Sequence, residues 1–216
     1  MEKSRITELV FILDRSGSMN GLESDTIGGF NSMLDKQKKE PGTAMVTTVL
    51  FDDQYEFLHD HLRLQDVKPV TDKDYYVRGC TALLDAIGRT ESKVAERQRT
   101  APEELRADSV LFVIITDGLE NASREYRLDQ IKRMIEQHRE RDKWEFMFLG
   151  ANIDAVETAR SYGISECMAA DYHADSVGTR VNFETISKAA MGMRFCGMVA
   201  PSCMDSVRAD FESRRG

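Results

Sequence analysis

The hydrophobic and polar positions of the chain alternate between the spacing of a strand and that of a helix. Short apolar stretches that end in polar loops predict strands. Residues 109–116 contain no charged residue, so this strand is expected in the middle of a sheet that is covered on both faces. The predicted strands are 7–13, 45–51, 55–64, 109–116, 144–149 and 166–170.

Apolar residues at helical spacing lie between these strands. The last predicted helix takes Asn182 as its N-cap, since a side-chain amide can accept a hydrogen bond from the first turn. A polar loop, 65–80, precedes the second helix, and the pattern predicts no defined element in the tail, 197–216. The predicted helices are about 20–39, 81–98, 123–141, 154–162 and 182–195.

This order of elements predicts an α/β fold. The second and third strands are joined only by a short turn at Asp52 and Asp53, which predicts an antiparallel hairpin. The other strands are joined through helices, which predicts a doubly wound, mostly parallel sheet with helices on both faces. No linker or repeat divides the chain, so residues 1–216 are interpreted as one domain with a core of about 6–195.

Composition and charge exclude several classes of protein. There are 29 Lys and Arg against 37 Asp and Glu, and the net charge of −8 argues against a nucleic-acid partner. The longest apolar runs, 9–13 and 110–115, are far shorter than the roughly 20 residues of a membrane span. The first residues do not resemble a signal peptide, and the four cysteines form no CxxC pair, so a cytoplasmic protein with reduced thiols is expected.

The chemistry begins where the first strand ends, in Asp14-Arg15-Ser16-Gly17-Ser18. The strand delivers Asp14 to its carboxyl end, and Gly17 is expected to allow a tight turn there. One carboxylate and two hydroxyls then form a cluster of hard oxygen donors, which suits Mg²⁺, Mn²⁺ or Ca²⁺. Taken alone, the same residues also fit an ordinary capping turn.

Two further residues are expected at the same edge of the sheet. Asp117 follows the most apolar strand, and Thr81 opens a helix after a Gly-Cys loop. In a doubly wound sheet the carboxyl ends of the strands share one edge, where ligands bind. The candidate metal ligands are Asp14, Ser16, Ser18, Thr81 and Asp117.

The order and spacing of these five residues resemble the metal-ion-dependent adhesion site (MIDAS) of von Willebrand factor type A (vWA) domains. The resemblance implies a doubly wound sheet with one antiparallel edge strand, in a bacterial-type, cytoplasmic, single-domain member. It implies that Ser16, Ser18 and Thr81 ligate the metal directly while Asp14 and Asp117 act largely through water. It also implies a partner protein that supplies an Asp or Glu to the open position of Mg²⁺.

Residues near these ligands form a candidate rim for the partner: Tyr75, Tyr76, Glu120 and Asn121. The two tyrosines are either interface anchors or one buried and one exposed ring. Glu120 and Asn121 either support the metal ligands, lie on the rim or cap the start of a helix.

The leading hypothesis is a metal-dependent protein-interaction module that is not an enzyme. The alternative is a Mg²⁺-dependent hydrolase or phosphoryl-transfer enzyme that uses Asp14. However, Ser16 occupies the position where such enzymes usually have a second acid, and the chain has no P-loop, GxGxxG or GxSxG motif. A third possibility is a structural domain that never binds metal.

Overall fold

One sheet runs through the computed structural model, which describes residues 5–215. Within this range it has six strands: β1 (Ile6–Asp14), β2 (Thr43–Phe51), β3 (Tyr55–Arg63), β4 (Ser109–Thr116), β5 (Glu145–Gly150) and β6 (Ala169–Asp171). Their order across the sheet is β3–β2–β1–β4–β5–β6. β1 therefore lies between β2 and β4 in the middle of the sheet.

Every neighbouring pair of strands is parallel except β2 and β3, which form an antiparallel hairpin at one edge. The predicted α/β class and the antiparallel edge strand are thus confirmed. All eight residues of β4 are buried, as expected for a strand covered on both faces. β6 is shorter than predicted, because Glu166–Met168 form a 3-10 turn ahead of it.

Helices cover both faces of the sheet. One face carries the contact between α1 and α5, where Phe30 packs edge-on against Phe11 of β1 and against Phe183. On the other face α2 packs against α3. The helices are α1 (Glu23–Lys38), α2 (Leu83–Thr100), α3 (Leu128–Arg141), α4 (Ala155–Ser161), α5 (Ser176–Cys196) and α6 (Asp205–Ser213).

The third helix begins later than predicted, at Leu128 rather than at residue 123. In the segment before it, backbone N–H groups donate to side-chain carboxylates instead of to a helical ladder. Asp85 accepts from the N–H groups of three consecutive residues, 124–126, at 2.8–2.9 Å. Because these donors are already satisfied, the segment stays irregular.

The end of the chain differs most from the prediction. Asn182 is wrong as an N-cap: it lies inside α5 and is buried, and the cap is Asp175, which accepts from the N–H of Gly178 at 2.8 Å. The helix ends at Gly197, whose φ of 74° suits a glycine. The tail then forms α6, which packs on α5 and β6 through the buried Val207.

Within residues 5–215 no helix combines the length and apolar composition that a membrane crossing requires. The four cysteines are free thiols, three of them exposed.

Candidate metal centre

The five candidate ligands converge on the carboxyl edge of the sheet. Asp14 is the last residue of β1, and Asp117 follows the last residue of β4, the strand beside it. Thr81 lies two residues before Leu83, the first residue of α2, so it precedes the helix rather than opening it. The N–H of Gly17 donates to the carbonyl of Gly79 at 3.2 Å and joins two of these loops.

Asp14 is held in a fixed orientation. One carboxylate oxygen accepts from the N–H of Ser16 at 2.7 Å, and the other accepts from the hydroxyl of Thr116 at 2.5 Å. Burial raises the pKa of Asp14 to about 6, and the charge of Asp117 adds to this rise, while the hydroxyls of Ser16 and Thr116 oppose it. A cation at this edge would act in the opposite direction, since a nearby positive charge favours the ionised carboxylate.

The serine hydroxyls lie side by side, with the Oγ atoms of Ser16 and Ser18 3.0 Å apart. A Cβ on Gly118 would lie 3.1 Å from the Oγ of Ser18 and 3.4 Å from the Oγ1 of Thr81, so these hydroxyls share one small space. Gly17, in contrast, has no positive φ, and a Cβ there would make an ordinary 3.5 Å contact. The glycine whose missing side chain leaves room at the site is therefore Gly118 and not Gly17.

Asp117 provides the clearest test of whether the site fits a metal. Its side chain is 2% exposed, and neither carboxylate oxygen has a hydrogen-bond partner. Burial raises its pKa, and the hydroxyl of Ser18 opposes the rise without a hydrogen bond of normal geometry. Because a buried carboxylate without a partner is costly, the site fits a bound cation that would compensate it.

Two of the predicted rim residues support the loops. Asn121 accepts from the N–H of Thr81 at 2.9 Å through its side chain and donates its own N–H to the carbonyl of Thr81 at 3.0 Å. Glu120 accepts from the N–H of Leu84 at 2.9 Å in the first turn of α2, a helix that precedes it in the chain. Both residues therefore fix Thr81 and the start of α2, and Asn121 is in addition exposed.

The two neighbouring tyrosines have different environments. Tyr75 is 2% exposed, and its hydroxyl donates to the carbonyl of Asp14 at 2.5 Å. It supports the site from inside and does not lie on a rim, so its prediction as a partner contact is wrong. Tyr76 is 44% exposed at the surface. The alternative with one ring inward and one outward is the one that the structure has.

A network around Asp52 links the loops of the site. Asp52 is fully buried, and one of its oxygens lies 3.3 Å from the Nε of Arg15 and accepts from the Nε of Arg78 at 2.6 Å. Its carbonyl also accepts from the N–H of Ala82 at 2.8 Å. Sequence reasoning missed these residues, because the contacts join three loops that are distant along the chain.

The donors at this edge are hydroxyl and carboxylate oxygens, which are hard ligands. No group of three or more His, Cys, Asp or Glu side chains suited to a metal occurs within residues 5–215. A metal at the carboxyl edge would therefore depend on the serine and threonine hydroxyls as well as on the two aspartates. The ligand set itself stays a prediction.

Comparison with known proteins gives the class of fold. Neither a family model nor a curated protein matches the sequence. Among solved structures, proximal thread matrix protein 1 from the mussel byssus has a TM-score of 0.60 at 16% identity, over 87% of this chain and 46% of that chain. A von Willebrand factor type A protein from Catenulispora acidiphila has a TM-score of 0.57 at 13% identity, over 88% and 43%. The ArnB paralog VWA2 from Sulfolobus acidocaldarius has a TM-score of 0.54 at 18% identity, over 86% and 45%.

These similarities confirm that the chain has the vWA fold. A further structure of the mussel protein, with a TM-score of 0.55 at 16% identity, has a zinc-occupied MIDAS motif. The chain spans less than half the length of each of these structures, 43–46%. At such low identities the similarity establishes the fold, and the function requires its own argument.

Proposed function

We propose that this protein is a metal-dependent protein-interaction module with a MIDAS-type site for Mg²⁺ at the carboxyl edge of its sheet. The buried Asp117 carboxylate without a hydrogen-bond partner, beside the hydroxyls of Ser18 and Thr81, is the observation that carries this proposal. A partner protein supplies an Asp or Glu that completes the shell of the metal.

The proposed roles of the five ligands follow the MIDAS pattern. Ser16, Ser18 and Thr81 hold the metal directly, and Asp14 and Asp117 act through water and balance its charge. The hydrogen bonds from Ser16 and Thr116 to Asp14 support an orienting role for that carboxylate. When bound, the metal supplies a strong positive charge that attracts a carboxylate.

Mg²⁺ is the proposed ion because the donors are hard oxygens, with Mn²⁺ and Ca²⁺ as chemically related alternatives. The zinc in the mussel structure supports a divalent ion in a motif of this kind without deciding which ion this chain prefers.

The enzyme alternative requires Asp14 to act as a nucleophile. Asp14 is 1% exposed, and both of its oxygens already accept hydrogen bonds, so an attack would first have to break this arrangement. These features favour a binding site over a reaction centre. A hydrolase or phosphoryl-transfer activity that survives purification and disappears in Asp14→Asn would favour the enzyme instead.

The proposed partner is a protein of the cytoplasm, the compartment in which free thiols are usual. A nucleic acid is not proposed, because the net charge is −8. Affinity capture from the native lysate in Mg²⁺ and again in EDTA tests the proposal. We expect proteins that are retained only in Mg²⁺ and are lost with Ser18→Ala.

The matched control for this capture is Ser202→Ala, which removes an exposed hydroxyl from the turn before α6. Wild type and the control should retain the same metal-dependent proteins. Identical protein lists in Mg²⁺ and in EDTA would contradict the proposed function.

A further inference from the structure

Two large side chains are exposed beside the loops of the metal site. Tyr76 is 44% exposed and Leu119 is 64% exposed. Tyr76 lies near the end of β2, because Arg78, which contacts its ring, is paired with Asp52. Leu119 comes two residues after Asp117, in the segment that follows β4. Since β1 lies between β2 and β4, the two side chains flank the metal-binding loops.

Tyr76 is fixed in place although it is exposed. The guanidinium carbons of Arg15 and Arg78 lie 5.7 Å and 5.3 Å from the centre of its ring, and Arg78 donates to its hydroxyl at 3.2 Å. A side chain that is already ordered loses little conformational freedom when a partner binds. Rigid tyrosines of this kind are frequent anchors in protein interfaces.

The loops of the metal site expose several small residues. A bulky side chain here would stand between the metal and a partner, whereas small residues leave room for an extended backbone. Gly79 has a φ of 67°, and a Cβ there would lie 2.2 Å from a carboxylate oxygen of Asp53, so the loop requires glycine. The exposed small residues are Gly17, Ser18, Gly79 and Cys80.

The charges at this edge indicate what kind of segment fits. Arg78 is paired with Asp52, and Arg15 with Asp52 and Glu56, so these cations are already balanced by carboxylates. The whole chain carries a net charge of −8. An acidic partner is therefore attracted by the metal rather than by the surrounding protein, and the additional affinity has to come from apolar contacts.

We infer that the partner presents an extended segment in which the metal-binding Asp or Glu is flanked by apolar residues that pack on Tyr76 and Leu119. This inference rests on the proposed function and adds to it the chemistry of the recognised segment.

A displayed library of random linear peptides tests the inference. Peptides are bound to the wild-type protein in Mg²⁺ and eluted with EDTA. We expect the eluted sequences to be enriched in an acidic residue with an apolar neighbour. A synthetic peptide of the enriched sequence should lose binding when its acidic residue is replaced by the amide.

Variants of the protein then distinguish the contacts with Tyr76 and Leu119 from metal binding. Tyr76→Ala and Leu119→Ala should each lower the affinity for the synthetic peptide about tenfold or more, as expected for interface anchors. Both variants should bind Mn²⁺ as wild type does. Leu105→Ala is the matched control, because Leu105 is 59% exposed but lies just before β4, at the opposite edge of the sheet. It should leave peptide affinity unchanged.

The two possible failures differ. Acidic peptides that elute with EDTA but bind Tyr76→Ala and Leu119→Ala as tightly as wild type would overturn the inference and leave the proposed function intact. A library that yields no peptide eluted by EDTA would count against the proposed function, and with it the inference.

Discussion

Among single residues, Gly118 controls how much space the candidate metal site has. Ser18 and Thr81 approach it so closely that an added methyl group would lie 3.1–3.4 Å from their hydroxyl oxygens. The 3.1 Å contact with Ser18 is too short for a methyl group unless that hydroxyl moves, whereas 3.4 Å from Thr81 is the lower limit of ordinary contact. The geometry of the site thus depends on a residue that carries no donor of its own.

Gly118→Ala is expected to weaken Mn²⁺ or Mg²⁺ binding about tenfold or more, because it displaces the hydroxyl of Ser18, one of the proposed ligands. Titration calorimetry of the purified protein measures this. Gly28→Ala is the matched control: Gly28 lies in α1, and a Cβ there would contact nothing within 4 Å. Equal metal affinity in the two variants would contradict the proposed role of the Ser18 hydroxyl as a ligand.

A second residue, far from the metal site, makes stability depend on pH. Glu91 of α2 is fully buried, neither of its oxygens has a hydrogen-bond partner, and the Nε2 of His138 lies 3.8 Å away. Burial raises the pKa of Glu91 from its ordinary 4.5 to about 8. Within this range the folded protein keeps a proton that the unfolded chain has lost.

The free energy of unfolding should therefore fall as the pH rises through this range, by up to about 1.4 kcal/mol per pH unit. Glu91→Gln should flatten the decline and be more stable than wild type at about pH 8, with little difference near the ordinary pKa of a glutamate. Urea unfolding followed by the fluorescence of Trp144, the single tryptophan, measures this. Glu96→Gln, an exposed position on the same helix, should keep the wild-type decline; equal declines in all three proteins would contradict the account of Glu91.

At the scale of elements, the hairpin β2–β3 takes part in the metal site although it contributes no ligand. Its turn contains Asp52, which contacts Arg15 beside Asp14, Arg78 ahead of Thr81, and the start of α2. Substitution of residues that orient metal ligands typically lowers metal affinity about 10- to 100-fold.

Asp52→Asn keeps the shape of the side chain but removes its charge, so the two arginines are held less firmly. We expect metal affinity to fall about tenfold or more, with the folded state retained in circular dichroism. Asp60→Asn is the matched control, since it removes an exposed partner of Arg97 and Lys93 at the other end of β3. Metal affinity that is unchanged in Asp52→Asn would remove Asp52 from the account of the site.

Most of the sheet could be predicted from the sequence because its inner strands are largely apolar and buried. The strand at 109–116 coincides with β4, and the short turn after β2 fixed the antiparallel hairpin. α6 could not be predicted, since Val207 is its only buried residue and gives no periodicity. The start of α5 was missed because Asp175 and Asn182 are both residues that cap helices well.

The metal site, too, could be predicted from the sequence only in part. Asp14 and Asp117 could be placed at one edge because strand ends are readable from the sequence. The roles of Tyr75 and Asn121 could not be predicted, because they depend on which backbone groups come near in the folded chain. A Tyr-Tyr pair or a Glu-Asn pair in a loop carries no sign of such a contact.

At the scale of the whole molecule, a bound cation would stabilise loops after two central strands and the loop before a helix. A ligand that binds only the folded state stabilises it by mass action, by about 2.7 kcal/mol at 100 times its dissociation constant. For a chain of this size that corresponds to a rise of roughly 5–10 °C in melting temperature.

The metal site is tested most directly by the melting temperature of wild type and of Asp117→Asn, each in EDTA and in saturating Mg²⁺ or Mn²⁺. Wild type should melt higher with metal, and the variant should show no such rise. In EDTA the variant should melt no lower than wild type, because it lacks a buried charge without a partner. A wild-type melting temperature that does not change with metal, or a variant that keeps the full rise, would contradict the metal site.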